Sequence, residues 1–553
     1  MKTQQNNLAS RIRAAALAVA AGLVVTANAS AVVVYHVDAG IAVSGGGSSW
    51  ADAFKHLQDA LAIAQPGNEI WVKQGTYYPD RSNANPAGTG DRATSFMMES
   101  GVKILGGFVG NESAASQRTP ALYVTVLSGD IGVPGTTGDN SYNIVEAPGV
   151  NNLAVLDGFT LSKGIADGVT TPDTYVGGGV YIYAGSQVVI NQCVFQECWG
   201  RGGPAIASYS SSPTITNCRF LNNYGAVRPG AVEFTGSPNS IVRDCWFESN
   251  SGAYGGALYL NESSSGCTIE RCGFYDNFAV NGGAVSLAGF SASTFRACLF
   301  LKNQTGWRGA YQTQWNGGAV RNWCTDSVFV NCVFNANHAE GNGGALFDGG
   351  PSGSNATIVN CTMVNNYSRD GGAVSGVSGH TPAVRNSIFW DNTAGGANPN
   401  SIVGGVIVAS SNLTAGIVID PMFMDEDGPD NMPGSSDDDL RLAAGSPMID
   451  TGDLSHLPAG TATDFAGNAR VQAGTSGGTP MLDIGALEFA PSAPPACFGD
   501  SDGDFDVDFS DIVATLANWG SGGPLGDANF DEKVNFNDVL AVLANFGVSC
   551  QKP

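Results

Sequence analysis

Two sets of oxygen-bearing side chains repeat in register near the C-terminus. Asp500, Asp502, Asp504, Asp508 and Asp511 recur 27 residues later as Asp527, Asn529, Asp531, Asn535 and Asp538. Donors at alternate positions wrap a loop around one hard cation, and the residue at position 12 closes the shell, which is calcium chemistry. Each set runs into a short helical pattern, with Ile512, Leu516 and Trp519 on one face of the first and Val539, Leu543 and Phe546 on one face of the second. Position 6 is Phe505 and Glu532, where a general calcium loop has Gly. A second acidic group, Asp425, Asp427, Asp430, Asp437, Asp438 and Asp439, is interleaved with glycine and proline. It is either a second calcium site or a solvated acidic loop.

Other residues could hold a ligand rather than a metal. An extended segment between Cys298 and Cys332 carries Trp307, Arg308, Tyr311 and Trp315. Aromatic rings of this kind stack on sugars, and insertions in repeat proteins often line the binding face. Asp244 and Arg271 lie on a column expected to face outward, in line with Asn217, Asn331, Asn360 and Asn386, and Trp246 and Tyr275 lie nearby on neighbouring outward columns. No recognisable pair of catalytic carboxylates or lyase base stands out, so a catalytic residue is not assigned.

These side chains need a frame, and the frame is a repeat. Cys-x-Phe-x-x-Asn recurs as Cys218/Phe220/Asn223, Cys245/Phe247/Asn250, Cys272/Phe274/Asn277, Cys298/Phe300/Asn303 and Cys332/Phe334/Asn337. It alternates with Gly-Gly-Ala-Val/Leu, as at Gly255–Leu258, Gly282–Val285 and Gly317–Val320. One copy cannot bury its apolar face, but stacked copies can. Cys and Phe two apart point to the same side of a strand. The Asn falls at a turn, where it can bond to its counterparts above and below. The pattern predicts an all-β fold, a right-handed single-stranded parallel β-helix. A helix over residues 49–61 is predicted to cover the N-terminal end, with Phe54, Leu57 and Leu61 on its apolar face. Seven of the 12 cysteines share one repeat slot. Side chains stacked in that register are too far apart for disulfides, so the reading is a buried thiol ladder. Cys497 and Cys550 bracket the acidic repeats and are the disulfide candidates, while Cys198, Cys267 and Cys324 are unassigned.

The alternating Gly-Gly-Ala-Val/Leu and Phe-x-x-Asn elements over residues 175–395 resemble the repeat of the polymorphic outer-membrane protein family and of other exported right-handed β-helix proteins. Residues 440–489, with Ser446-Pro447-Met448-Ile449-Asp450 and Asp483-Ile484-Gly485-Ala486-Leu487-Glu488, resemble the choice-of-anchor segment of such proteins. Residues 497–553 resemble a type I dockerin, with Asp rather than Glu at position 12. That resemblance implies a cohesin-type partner, read through Phe509/Ser510 and Phe536/Asn537.

The remaining features set compartment and class. Residues 1–29 read as a secretory signal, with Lys2, Arg11 and Arg13, an apolar run from Ala14 to Val25, and Ala27-Asn28-Ala29. No later segment is long and apolar enough to span a bilayer as a helix. The net charge of −24 argues against nucleic acid and anionic membranes as partners. The expected order is signal 1–29, β-helix with caps 30–490, linker 491–496 and calcium module 497–553. The expected protein is secreted or held at the cell surface, uses Ca2+, and binds glycan or protein without catalysis. The alternative is a dockerin-bearing polysaccharide lyase or glycoside hydrolase.

Overall fold

The computed structural model describes residues 32–306, 315–323, 325–350, 355–377, 380–395, 407–408, 419–435, 438–473, 479–489, 499, 501, 507–520, 528 and 533–547. Each full turn of the coil contributes four short strands, as in Thr214–Thr216, Arg219–Leu221, Tyr224–Gly225 and Val232–Thr235. Strands of successive turns pair in parallel and build four long sheets. In that order we call them sheets 1 to 4, with 13, 11, 9 and 10 strands among the described residues. Parallel pairing with a one-turn offset is the pattern of a coil stacked on itself, about 4.8 Å per turn.

The repeated residues form columns inside. Phe195, Phe220, Phe247, Phe274, Phe300 and Phe334 stack with ring centroids 4.4–5.0 Å apart and planes within 9° of parallel. The asparagines form a second column. The amide of Asn277 donates to Asn303 Oδ1 at 3.0 Å and to the Phe247 carbonyl at 2.9 Å, while its own Oδ1 accepts from Asn250. Cys198 heads this column, its backbone N–H donating to Asn223 Oδ1. The thiols form a third column of buried, free cysteines. Burial pushes Cys193, Cys245, Cys298 and Cys361 above the ordinary thiol range and Cys198 up to about 12. Such thiols are unreactive and pack as small apolar residues. Cys324, Cys497 and Cys550 lie outside the described residues.

The glycine pairs have a steric cause. Gly282 has φ +66°, and a Cβ on Gly283 would lie 2.0 Å from the Gly318 carbonyl oxygen of the next turn. Two further turns in each coil use the left-handed region without glycine, at Asn217, Asp244, Asn331 and Asn360 before the Cys column and at Asn222 and Asn365 before the Asn column. Asn and Asp tolerate that conformation best among residues with a Cβ.

The helix predicted over 49–61 does not form as one piece. A 3-10 turn spans Trp50–Asp52 and a short helix spans Leu57–Leu61. Between them Phe54 exchanges backbone hydrogen bonds with His36 and Asp38, beside the first strand, Val34–Val37. The free edge of that strand takes the backbone that a continuous helix would have used internally. Phe54, Leu57 and Leu61 are buried in the core, as their spacing implied.

The C-terminal residues run along the side of the coil. Gly485 donates its N–H to the Asn386 carbonyl, Asn331 bonds to the Thr463 carbonyl, and Asn335 bonds to Asp438 at 2.6 Å. Two terminal helices, Phe509–Ala517 and Phe536–Ala544, continue along the same flank. Trp519 Nε1 donates to the Asn217 carbonyl and Arg219 donates to the Leu516 carbonyl. The physical reason is the outer face of sheet 2. Trp246, Leu299, Leu301, Val333 and Val364 point outward there and share one buried apolar cluster with Trp519, Phe536, Val539 and Leu540.

Arg470 is fully buried in this flank, its Nε 3.2 Å from Glu488, with Asp464 and Asp483 also acting on it. Burial raises Glu488 to about 8 and moves Asp464 and Asp483 in the same direction. A raised carboxyl pKa means that the folded state holds its proton more tightly than the unfolded state. The stability it contributes is present at low pH and lost as pH rises from the ordinary carboxylate range through about 8. Thermal melting followed from about pH 5 to 8 should therefore fall, and Glu488→Gln should flatten the slope. An unchanged slope in that variant would refute the assignment.

Candidate ligand-binding surface

Four of the donor positions expected for calcium are described. Asp508 and Asn535 sit immediately before the two terminal helices, each accepting from the N–H two residues on. Asp511 and Asp538 are fully buried and accept from the N–H of Asp508 and Asn535 respectively. All four present oxygen, as calcium requires. Asp500, Asp502, Asp504, Asp527, Asn529 and Asp531 lie outside the described residues. Of the second acidic group, Asp439 pairs with Arg441 at 2.6 Å, Asp438 accepts from Asn335 and Gly434, and Asp430 accepts from Met432. Asp425 is raised by burial and by Asp427 and Asp439 nearby; Asp437 lies outside the described residues. Among the described residues no group of three or more His, Cys, Asp or Glu side chains is arranged to hold a metal ion.

The aromatic candidates are placed differently from the sequence reading. Trp246 is only 5% exposed beneath the terminal helices, and Tyr275 packs against the same cluster. Asp244 and Arg271 form a two-point ion pair at 2.7 and 3.0 Å in the left-handed turn column. Trp315 is half-buried, its carbonyl accepting from Thr305; Trp307, Arg308 and Tyr311 lie outside the described residues. The second repeat's Phe536 is fully buried, while its counterpart Phe509 is 56% exposed.

A different face gathers the surface chemistry. In sheet 4 the residues after the glycine pairs alternate inward and outward. Val180, Ile206, Val232 and Leu258 point in, and Tyr181, Ala207, Glu233 and Tyr259 point out in register. Two residues on, Tyr183 and Tyr209 also face outward. Tyr181 and Tyr183 stack at 4.6 Å, Tyr181 meets Tyr209 edge-on at 5.9 Å, and Tyr254 stacks on Tyr259 at 6.0 Å. Tyr183, Tyr209, Tyr254 and Tyr259 are half-buried, so each stays partly exposed.

One departure from the repeat lies at the centre of this face. Pro229 replaces the first glycine of the pair, Gly230 keeps the second, and Arg228 before them has a side chain that is 43% exposed. Its Nη1 is held by Glu233 at 2.8 Å, and the same Glu233 oxygen accepts from Tyr209 and Thr235. Burial raises the Glu233 carboxyl, against the pull of Arg228. Glu233 Oε2 is buried without a partner. Glu233 has no exposed surface, so it positions the guanidinium rather than meeting a ligand. One turn below, the Arg201 carbonyl accepts from the Arg228 N–H. One turn above, the Arg228 carbonyl accepts from Ala253, next to Tyr254. Flat rings flanking a fixed cation can stack on sugar rings and bond to their hydroxyls and carboxylates. The sequence signal was available: alternate outward positions of the strands that follow the glycine-rich turns carry Tyr181, Tyr183, Tyr209 and Tyr259.

One comparison agrees with this architecture. A family model for a right-handed beta helix region matches residues 174–334. The chain is a right-handed parallel β-helix along its repeats. A comparison with curated proteins finds no match. Similar solved structures include a pectate lyase, with 16% identity and TM-score 0.41 over 83% of this chain and 96% of that one. A rhamnogalacturonan lyase shows 14% identity and TM-score 0.27 over 64% and 73%. At such TM-scores the two likenesses carry no argument, and the family match carries the hand of the coil. No described helix is long and apolar enough to cross a membrane.

Proposed function

We propose that this is an exported β-helix protein that binds a glycan chain along the outer face of sheet 4. The observation that supports it is the set of half-buried tyrosines on the turns either side of the fixed guanidinium of Arg228. The turns repeat at about 4.8 Å, so an extended chain lying along the coil would meet Tyr183, Tyr209, Arg228 and Tyr259 on four successive turns. The terminal residues 497–553 are proposed to be a dockerin-like calcium module, supported by the two in-register donor sets. In this reading a cohesin-type partner meets the first repeat, where Phe509 and Val513 are exposed. The second repeat faces the rod.

The test is retention of the mature protein on immobilised acidic and neutral polysaccharides, with and without calcium. The expected result is retention on at least one glycan without new reducing ends or unsaturated products. It should weaken by about tenfold or more in Tyr209→Ala/Tyr259→Ala, given about 1 kcal/mol or more for each lost aromatic contact. Retention indifferent to these substitutions would sink the assignment of the face. Turnover would instead favour the second reading, a polysaccharide-degrading enzyme, for which Arg228 and Tyr209, both held by the buried Glu233, are the supporting observation.

A further inference from the structure

A second polar concavity lies at the other end of the chain, where the short helix Leu57–Leu61 meets the first turns of the coil. It encloses 180 Å3 and is lined by Lys55, His56, Thr76, Tyr77, Tyr78 and Arg81, among others. That is room for about six waters, which suits one compact ligand and is small for a drug-sized one.

Its charge is opposite to that of the molecule. The chain carries −24, with only 25 Lys and Arg residues in 553. Two of those cations line this pocket, and no carboxylate does. Neither Lys55 nor Arg81 makes an ion pair among the described residues. Arg81 is fixed by its own neighbour, its guanidinium 4.0 Å over the Tyr78 ring. His56 Nε2 is buried without a hydrogen-bond partner. The carboxylate nearest to His56 in sequence, Asp59, is engaged by the Asn83 backbone N–H at 3.0 Å. Burial is the largest influence on His56 and favours its neutral form. A neutral imidazole leaves the two permanent charges to Lys55 and Arg81 and offers one ring nitrogen to a ligand.

Unpaired cations held in a partly enclosed pocket attract an oxyanion, and a planar guanidinium matches a carboxylate or phosphate at two points. We propose that this pocket binds a compact oxyanion, whether the carboxylate of an acidic sugar or a free inorganic anion. Arg81 supplies the two-point contact, Lys55 the second charge and His56 Nε2 the orienting hydrogen bond. The proposal is independent of the tyrosine face on sheet 4.

Isothermal titration of the full chain with glucuronate, inorganic phosphate and sulfate tests it, with glucose as the neutral control. At least one anion should bind while glucose does not. Glucuronate alone would identify a sugar-borne carboxylate, and phosphate or sulfate alone a free anion. Arg81→Gln should weaken binding by about 10- to 100-fold, as loss of a hydrogen bond between charged groups does. Lys55→Gln, a change at a partly exposed side chain, should weaken it in the same direction with unchanged circular dichroism and melting. Absence of binding by all three anions, or equal binding by the wild type and both variants, would overturn the proposal.

Discussion

Asn277→Ala is expected to destabilise the rod by about 3–5 kcal/mol, because one side chain satisfies several buried groups at once. The amide of Asn277 bonds to the Phe247 carbonyl and to Asn303, and its oxygen serves both the backbone and the side-chain N–H of Asn250. Asn277 is fully buried, so water cannot replace these bonds. Each orphaned group costs about 1–3 kcal/mol, and the void adds a packing loss. In a solenoid each turn contacts only its neighbours. Hydrogen exchange should therefore lose protection first around residues 247–303, with the ends of the coil less affected. Uniform loss of protection, or a cost below about 1 kcal/mol, would contradict the ladder as a main support of the stack.

Removal of calcium is the second large expected effect. If the terminal module takes calcium, binding energy is part of its folding energy, about 4 kcal/mol when calcium stands at a thousand times its dissociation constant. Chelation should unfold the two terminal helices and lift them from sheet 2. Trp519 is 8% exposed and Trp246 5% exposed in the joined state. Their uncovering should shift tryptophan fluorescence to the red and create binding sites for a hydrophobic dye, because Phe536, Val539 and Leu540 leave the apolar cluster they share with Trp246, Leu299 and Leu301. The far-ultraviolet signal of the β-structure should persist, since the columns inside the coil are held by ring stacking and asparagine hydrogen bonds. Loss of that signal in chelator would contradict the division of roles, as would fluorescence unchanged by chelation.

The interior of the coil was legible in the sequence because its rule is local and repeated. Cys218, Phe220 and Asn223 recur with their spacing intact, and period-2 alternation puts Cys and Phe on one side. The same alternation fixes which residues point outward, but it does not say which outward face meets water. Trp246 was read as a ligand-binding ring because it lies on an outward column beside the residues that flank the inward cysteines. In the structure it is covered by a helix some 290 residues further along the chain. That docking depends on a match between two apolar surfaces far apart in sequence, and no local pattern encodes it. A hint was present: Leu299, Leu301, Val333 and Val364 are apolar at outward positions, and such a strip needs a cover. The tyrosine face was missed for the complementary reason. Tyr181, Tyr183, Tyr209 and Tyr259 follow the glycine pairs, in a strand read for its glycines rather than for its alternation. The helix over 49–61 failed at Phe54, where a strand edge competed for backbone bonds.

The glycan face is tested most directly by an experimental structure of the full protein with an oligosaccharide taken from the retention experiment. The expected result is sugar rings lying along sheet 4, in contact with Tyr183, Tyr209, Tyr254 or Tyr259 and within hydrogen-bond reach of Arg228. Sugar bound on another face, with that tyrosine run bare, would contradict it.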